Sequence, residues 1–539
     1  MNQLESLQKI DRSQNIDGWR VQLYFFSRNP KTLAMIALFV TLIAVGVGWA
    51  VQKPILAQLG IDPFEATELK AELDKPQPDM GTIIAMLPRA AGSFFEDVPL
   101  PEWIAASQLS AADKLVTNAL WTSLQEGDGF EPSADLLYYA HYVKPLRYTN
   151  ELIGDHYLAT EEYAKAAPYF RREAKFPDAR KAREKLLAVS IELHDRPAIQ
   201  ELSKDPTFAA EFKPEHRLYF AAQERRWSEM VAPLRDLQAS LLQPVPLALA
   251  TLAGLVWFLV ALQAVQPPGF FSFRMFLPPF AVVAGMVSTF PTLLSGLWME
   301  GVFGLRHTGN VFDDFLFFML SVGPREEIIK LAFFVPFLPL LLFRKDRLEA
   351  LMLAGCVGLG FAVWENLQYF AQFGSAVAFP RFLTANFFHL ALTGLNGLAL
   401  FDLLRHPIRG FLPFVGIFLG TTLAHGAYDV MGSIQGVPVL VFGSMIIFML
   451  VSLFFFRTLQ KLRNATTDQL SIAGTFVVGI SLLAGVIIVF AAREIGLIPT
   501  LATFAITGFG MIMVGYMFYW QLGEGMSAAG ESPARPYAT

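Results

Sequence analysis

Residues 312–343 read FDDFLFFMLSVGPREEIIKLAFFVPFLPLLLF. The stretch is long and apolar enough to cross a bilayer, yet adjacent glutamates, Glu326 and Glu327, lie near its centre. An ionised side chain at that depth costs about 3 kcal/mol, so the pair marks a functional position. Pro324 is tolerated at a helix start, which places the glutamates in the first turns of a helix beginning inside the protein, near its electropositive end. Helical spacing stacks Glu326 over Lys330, four residues on, and turns Glu327 about 100° around the axis. One glutamate is therefore expected on the lysine and its neighbour on a different partner.

The surrounding composition sets the class. Of 539 residues, 54% are hydrophobic and 17% charged, with 49 phenylalanines, and the mean hydropathy is +0.42. These values point to an all-α, polytopic membrane protein rather than a soluble enzyme. The net charge of −5 includes no basic run of the kind that binds nucleic acid. The lone cysteine, Cys356, reads as a small core residue and provides neither a disulfide nor a thiolate metal site.

Residues 32–51 form the first hydrophobic stretch, after a leader containing Lys9, Arg12, Arg20, Arg28 and Lys31. No small-residue cleavage pattern follows, so residues 32–51 read as an uncleaved signal anchor behind a cytoplasmic segment, 1–31. Further spans fall near 244–266, 277–299, 312–343, 349–371, 383–404, 411–431, 438–456, 470–491 and 498–520, making about ten transmembrane helices. Alternation puts Arg344, Lys345, Arg347, Arg405, Arg409, Arg457, Lys461 and Arg463 in the cytoplasm, whereas the opposite loops carry little beyond Arg306, Arg381 and Arg493. The expected location is the inner, cytoplasmic membrane. Residues 244–456 are the expected catalytic core, 457–520 two additional spans, and 521–539 a disordered cytoplasmic tail.

The long polar insertion, 52–243, is placed outside the cytoplasm. Gly154, Tyr157, Ala166 and Phe170 fall at tetratricopeptide-like spacings, and turns near Thr160-Glu161, Asp195-Arg196 and Arg226-Trp227 recur at a helical-hairpin interval. This region reads as a short, inserted α-solenoid with a surface for a peptide or protein ligand, or as a purely structural helical domain.

Chemistry gathers instead in the later spans. Glu365, Asn366 and Tyr369 group a carboxylate, an amide and a phenol on one helix, and His389 follows on the next. His425 and Asp429 stand at i and i+4, where a carboxylate can orient an imidazole. On the inferred topology Glu326, Glu365, His389, His425 and Asp429 reach similar depths in the outer half of the membrane. Independent structural roles would not predict that coincidence.

In order, Glu326-Glu327-x-x-Lys330, Phe361-x-x-x-Glu365-Asn366, His389 and His425-x-x-x-Asp429 resemble the PrsW family of intramembrane proteases, in the superfamily of type II CAAX prenyl endopeptidases, over about 310–432. Prenyl endopeptidases have an arginine after the paired glutamates, histidine where this chain has Glu365, and asparagine where it has Asp429. Those departures favour the PrsW branch over prenylated substrates. The resemblance implies a catalytic set of Glu326, Glu327, Glu365, His389, His425 and Asp429. Glu326 is the preferred general base, with Glu327 close behind, and Glu365, His389 and His425 could hold zinc or another divalent metal, which the resemblance does not settle. A metal-free glutamate mechanism stays open beside it. The implied activity is endoproteolysis of a membrane-anchored protein near the outer membrane face, in a setting such as regulated signalling. A secondary transporter and a catalytically silent scaffold or receptor are the alternatives.

Overall fold

In a computed structural model, the described residues are 26–52, 63–91, 99–142, 146–193, 195–209, 212–265, 273–308, 310–433, 438–463 and 471–523. Lys9, Arg12 and Arg20 of the leader, and the expected tail from 524 onward, lie outside them. Every regular element among the described residues is helical. The chain divides into two compact units, one mostly of residues 53–220 and one combining 1–52 with most of 235–539.

The second unit holds nine helices long and apolar enough to cross a membrane, among the described residues. With one further helix near the glutamates, they are numbered here α1 (Pro30–Val51), α2 (Pro244–Val265), α3 (Leu277–Phe303), α4 (Gly323–Phe334), α5 (Arg347–Phe373), α6 (Ala385–Arg405), α7 (Pro407–Ser433), α8 (Pro438–Leu462), α9 (Ile472–Ile495) and α10 (Leu497–Leu522). The protein is thus a multi-pass, all-α membrane protein.

The expected single span at 312–343 is instead a broken one. A short helix, Val311–Leu316, opens into a π-helical turn at Phe317–Val322, passes into α4, tightens at Val335–Phe337 and closes with Leu338–Arg344. Proline explains both interruptions. Pro324, Pro336 and Pro339 supply no N–H, and each ring crowds the carbonyl four residues back, so the helix widens or tightens around them. The helical path nonetheless continues through residues 317–334, and the Gly323 N–H is bonded to the Phe318 carbonyl. The glutamates therefore do not sit at a free electropositive helix end, as the proline had suggested.

Helices α5 and α6 form the centre. Most residues of α5 and α6 are buried, whereas α7 is largely exposed outside the contact with the site. Small residues make this density possible, because in lipid the helices are held by close packing rather than by expulsion of water. At Gly358 of α5 an added Cβ would lie 2.2 Å from the His389 carbonyl oxygen of α6. Around this pair, Trp257 of α2 donates to the Phe382 carbonyl at 2.7 Å. Its ring meets Phe387, Phe476 and Phe518 within 5.4 Å, which ties α9 and α10 to the centre. The first helix in the chain, α1, packs beside α9 through Ala44, Ile488 and Ala492. At the far end from the glutamates, Arg347 at the start of α5 pairs with Asp402 of α6 at 2.6 Å.

In the other unit, the helices Thr149–Ala159, Tyr163–Glu173, Arg180–Glu192 and Arg196–Lys204 follow one another through short turns. Ala166 and Phe170 are fully buried, and a Cβ at Gly154 would lie 2.6 Å from the Phe170 ring. The small residue thus admits the aromatic between paired helices. Among the described residues of this unit, helix breaks follow Ala159, Glu173, Glu192 and Lys204, so breaks fall within as well as between the expected hairpins. Arg147 reaches Glu173 at 2.5 Å and Asp178 at 3.0 Å, while Lys185 reaches Asp155 at 2.7 Å, joining non-adjacent turns.

Candidate active site

The first turn of α4 is pressed against α7, because Gly323 leaves no side chain: a Cβ there would lie 2.6 Å from the Thr422 carbonyl oxygen. This approach places Glu326 and Glu327 beside His425. The two glutamates then diverge. Glu327 is fully buried, whereas Glu326 keeps 8% of its surface exposed. Glu327 accepts from Lys330 Nζ at 3.1 Å, Asn396 Nδ2 at 3.1 Å and Thr393 Oγ1 at 3.3 Å, and it also contacts His425 Nδ1 at 3.1 Å. With three donors already fixing it as an acceptor, its carboxylate requires that His425 Nδ1 carry a hydrogen. Glu326 has fewer partners, with Lys330 Nζ at 3.0 Å as its hydrogen bond.

Lys330 therefore holds both glutamates, not one as helical spacing alone suggested. Its ammonium is buried, lies 3.9 Å from the centroid of the Phe361 ring and touches His389 Nδ1 at 2.8 Å. Lysine has no lone pair to offer, so His389 Nδ1 accepts and Nε2–H donates to Glu365 at 2.9 Å. Glu365 also pairs with Arg381 at 3.0 Å. Arg381 donates to Asn366 Oδ1, and Asn366 donates to Asn386. The Arg381 guanidinium lies 3.5 Å from the centroid of the Tyr369 ring.

Five of the six residues singled out in the sequence are joined in this hydrogen-bond network, and Asp429 lies beside it. Two relations differ from expectation. His425 Nε2 is 3.5 Å from Asp429, too far for a good hydrogen bond, and it is Glu327 that orients the ring through Nδ1. The proposed metal ligands also change. The oxygen and nitrogen atoms that converge within 4.8 Å belong to Glu326, His389 and His425, while Glu365 is engaged by His389 and Arg381 on the flank.

The donor set fits a divalent cation. With Nδ1 protonated, neutral His425 turns the lone pair of Nε2 toward Glu326 at 3.6 Å and Asp429 at 3.5 Å. Nε2 and each of these two carboxylate oxygens thus lie lone pair to lone pair, without a hydrogen at bonding distance. Their spacing is near the roughly 3.4 Å edge of a tetrahedron with bonds of about 2.1 Å, as zinc prefers with nitrogen and oxygen. His389 contributes its own nitrogen to such a set only by releasing Lys330 or Glu365.

Several members had escaped the sequence reading. Thr393 and Asn396 lie four and seven residues after His389, on the same face of α6, and that spacing was the available signal. Thr421, four residues before His425, donates to Asn396 at 2.7 Å. Arg381 was signalled only by the scarcity of arginine on its side of the membrane.

Residues 276–456 match the model of the PrsW family of intramembrane metalloproteases. The match contains every residue of the site and leaves the helical insertion and the last two spans outside it. It makes the chain a protease acting within a membrane. Neither the curated proteins nor the solved structures yield a match to the chain.

Proposed function

We propose that the Glu326–His425 centre hydrolyses a peptide bond of a membrane-anchored protein near the outer membrane face, with Glu326 as the general base. The observation that carries this reading is the unequal pair. Glu327 is saturated with donors, whereas Glu326, one residue away, retains an accessible edge opposite His425 Nε2. A saturated carboxylate orients its neighbours, and an unsaturated one can move a proton.

In the proposed sequence a water lies between Glu326 and the substrate carbonyl. Its oxygen bonds to the carbonyl carbon as its proton passes to Glu326. Glu326 then returns that proton to the leaving nitrogen as the C–N bond breaks. Glu327 fixes the tautomer of His425, and Lys330 with Glu365 fixes that of His389, so neither ring has to reorient during the reaction. A divalent cation held by His425 and Asp429, joined by His389 once it releases Lys330 or Glu365, would acidify the water and polarise the carbonyl while Glu326 stays free as the base. The family's description as metalloproteases supports the metal-dependent form.

Topology supports the outer face. The lysines and arginines at the start of α5 and the end of α6 mark a cytoplasmic end. Glu365 and His425 lie eight residues before the ends of α5 and α7, and His389 four residues into α6, at the opposite end. At 1.5 Å per residue these offsets correspond to about 12 Å and 6 Å along the helices. On this reading the helical insertion lies outside the cytoplasm and the protein belongs to the inner membrane. A tetratricopeptide-like role in holding a peptide segment fits the paired helices there.

The test is cleavage of a single-span fusion substrate by full-length enzyme in liposomes. Wild type is expected to produce two fragments, and Glu326→Gln none at equal protein amount. Equal cleavage by the variant would contradict the assignment.

A further inference from the structure

Beside the site lies a cation that the proposed reaction does not use. Arg325 precedes the glutamates on α4, in a segment expected to be inside the membrane, where Lys330 and Arg381 each touch a carboxylate within 3.1 Å. Arg325 has no such partner among the described residues. Its Nη1 donates to the Ser321 hydroxyl at 3.3 Å, and its Nε is buried without an acceptor. Most of the five donors of this guanidinium are therefore left open in a low-dielectric setting. A serine hydroxyl does not neutralise its charge.

The position is accommodated by its neighbour. Gly296 of α3 faces the guanidinium so closely that a Cβ there would meet Nη1 at 2.6 Å. Successive helical residues turn by about 100°, so Arg325 and Glu327 flank Glu326 on opposite sides. Glu327 faces α6 and α7, where its partners Thr393, Asn396 and His425 lie. Arg325 faces α3. A chain drawn across the accessible edge of Glu326 passes the guanidinium on its other flank.

We propose that Arg325 is a specificity subsite that takes the carboxylate of an aspartate or glutamate in the substrate, within about three residues of the scissile bond at about 3.3 Å per residue of extended chain. The fork geometry of the guanidinium matches a carboxylate with two parallel hydrogen bonds, and the pair neutralises a charge that a carbonyl dipole would not. Substrate binding would then complete an ion pair missing from the free enzyme. The inference rests on the endopeptidase reading and adds a preference to it.

The probe is a single-span fusion carrying a cleavage site that the wild-type enzyme uses, with Glu, Gln or Lys placed in turn at the three positions on each side of the bond. At one position, wild-type full-length enzyme in liposomes is expected to cleave the Glu form at least tenfold faster in kcat/KM than the Gln form. Arg325→Gln should bring that ratio close to one while cleaving the Gln form at nearly the wild-type rate, and Arg325→Glu should prefer the Lys form. Gly296→Ala, which meets only the movable end of the arginine, should shrink the preference without unfolding the protein. An equal rate for Glu and Gln forms at all six positions would overturn the proposal, as would a preference surviving in Arg325→Gln. A rate that instead follows anionic lipid content, and loses that dependence in Arg325→Gln, would also overturn it by assigning the arginine to a headgroup. If wild type cleaves no fusion of any sequence, the endopeptidase reading fails first and this subsite with it.

Discussion

At the scale of single residues, the account turns on the different surroundings of two adjacent carboxylates. Glu326→Gln removes a base but keeps the shape, so cleavage should fall by at least about 10³-fold, in the upper half of the usual range for a lost general base because the same residue also delivers the proton. Thermal unfolding in detergent should barely change. Glu327→Leu is expected to abolish activity and to cost about 3–5 kcal/mol, because it leaves buried Lys330 without one partner and His425 without its orienting acceptor. Equal stability of the two variants would contradict the division of roles. Rigorous chelation should silence the purified enzyme and zinc should restore it, whereas full activity after chelation would favour the metal-free glutamate mechanism. The sequence alone identified the six polar residues, since ionisable groups in an apolar span are conspicuous. It did not assign their partners. Whether Lys330 serves one glutamate or two depends on rotamers, and whether His425 meets Asp429 or Glu327 depends on how closely α4 approaches α7.

At the scale of elements, helix spacing and glycine positions set the site. Gly358→Ala would bring a methyl against the backbone of His389, and the shift of α6 should lower kcat/KM by at least tenfold although position 358 touches no substrate. An unchanged rate would mean that this crossing does not position the histidine. The outline of the spans was legible, because uninterrupted apolar runs of about 20 residues have few other readings. The break in 312–343 was legible only in part. Pro324 announced an irregularity, but a widened turn and a helix start look alike in sequence. In the helical insertion, burial holds the Asp155 and Glu173 carboxyls above their ordinary range, despite Lys185 and Arg147. Because the folded form then binds more protons than the unfolded one, stability should fall as pH rises toward neutrality and return as pH falls toward the ordinary carboxylate range. Hydrogen exchange of residues 149–192 in the full-length protein, corrected for intrinsic rates, should show more protection at pH 5.5 than at pH 7. Less protection at pH 5.5 would contradict this sign.

At the scale of the whole molecule, the segment that matches a protease family, 276–456, is embedded in a longer chain. The last two spans pack on the catalytic helices through Phe476 and Phe518 around Trp257, so they are expected to be needed for stability although they lie outside the family match. The size and polarity of the 52–243 insertion were readable from composition. A binding role for it was not readable, because the surface of a helical domain is specified by exposed side chains with no fixed pattern. The central claim, that the buried Glu326–His425 centre cuts membrane-anchored proteins, is tested most directly by quantitative membrane proteomics of cells carrying wild type or Glu326→Gln at equal abundance. The account predicts that one or a few full-length membrane-anchored precursors accumulate only with the variant, while their cleaved fragments disappear. Identical precursor and fragment profiles in the two strains, under conditions where the wild-type protein is required, would contradict it.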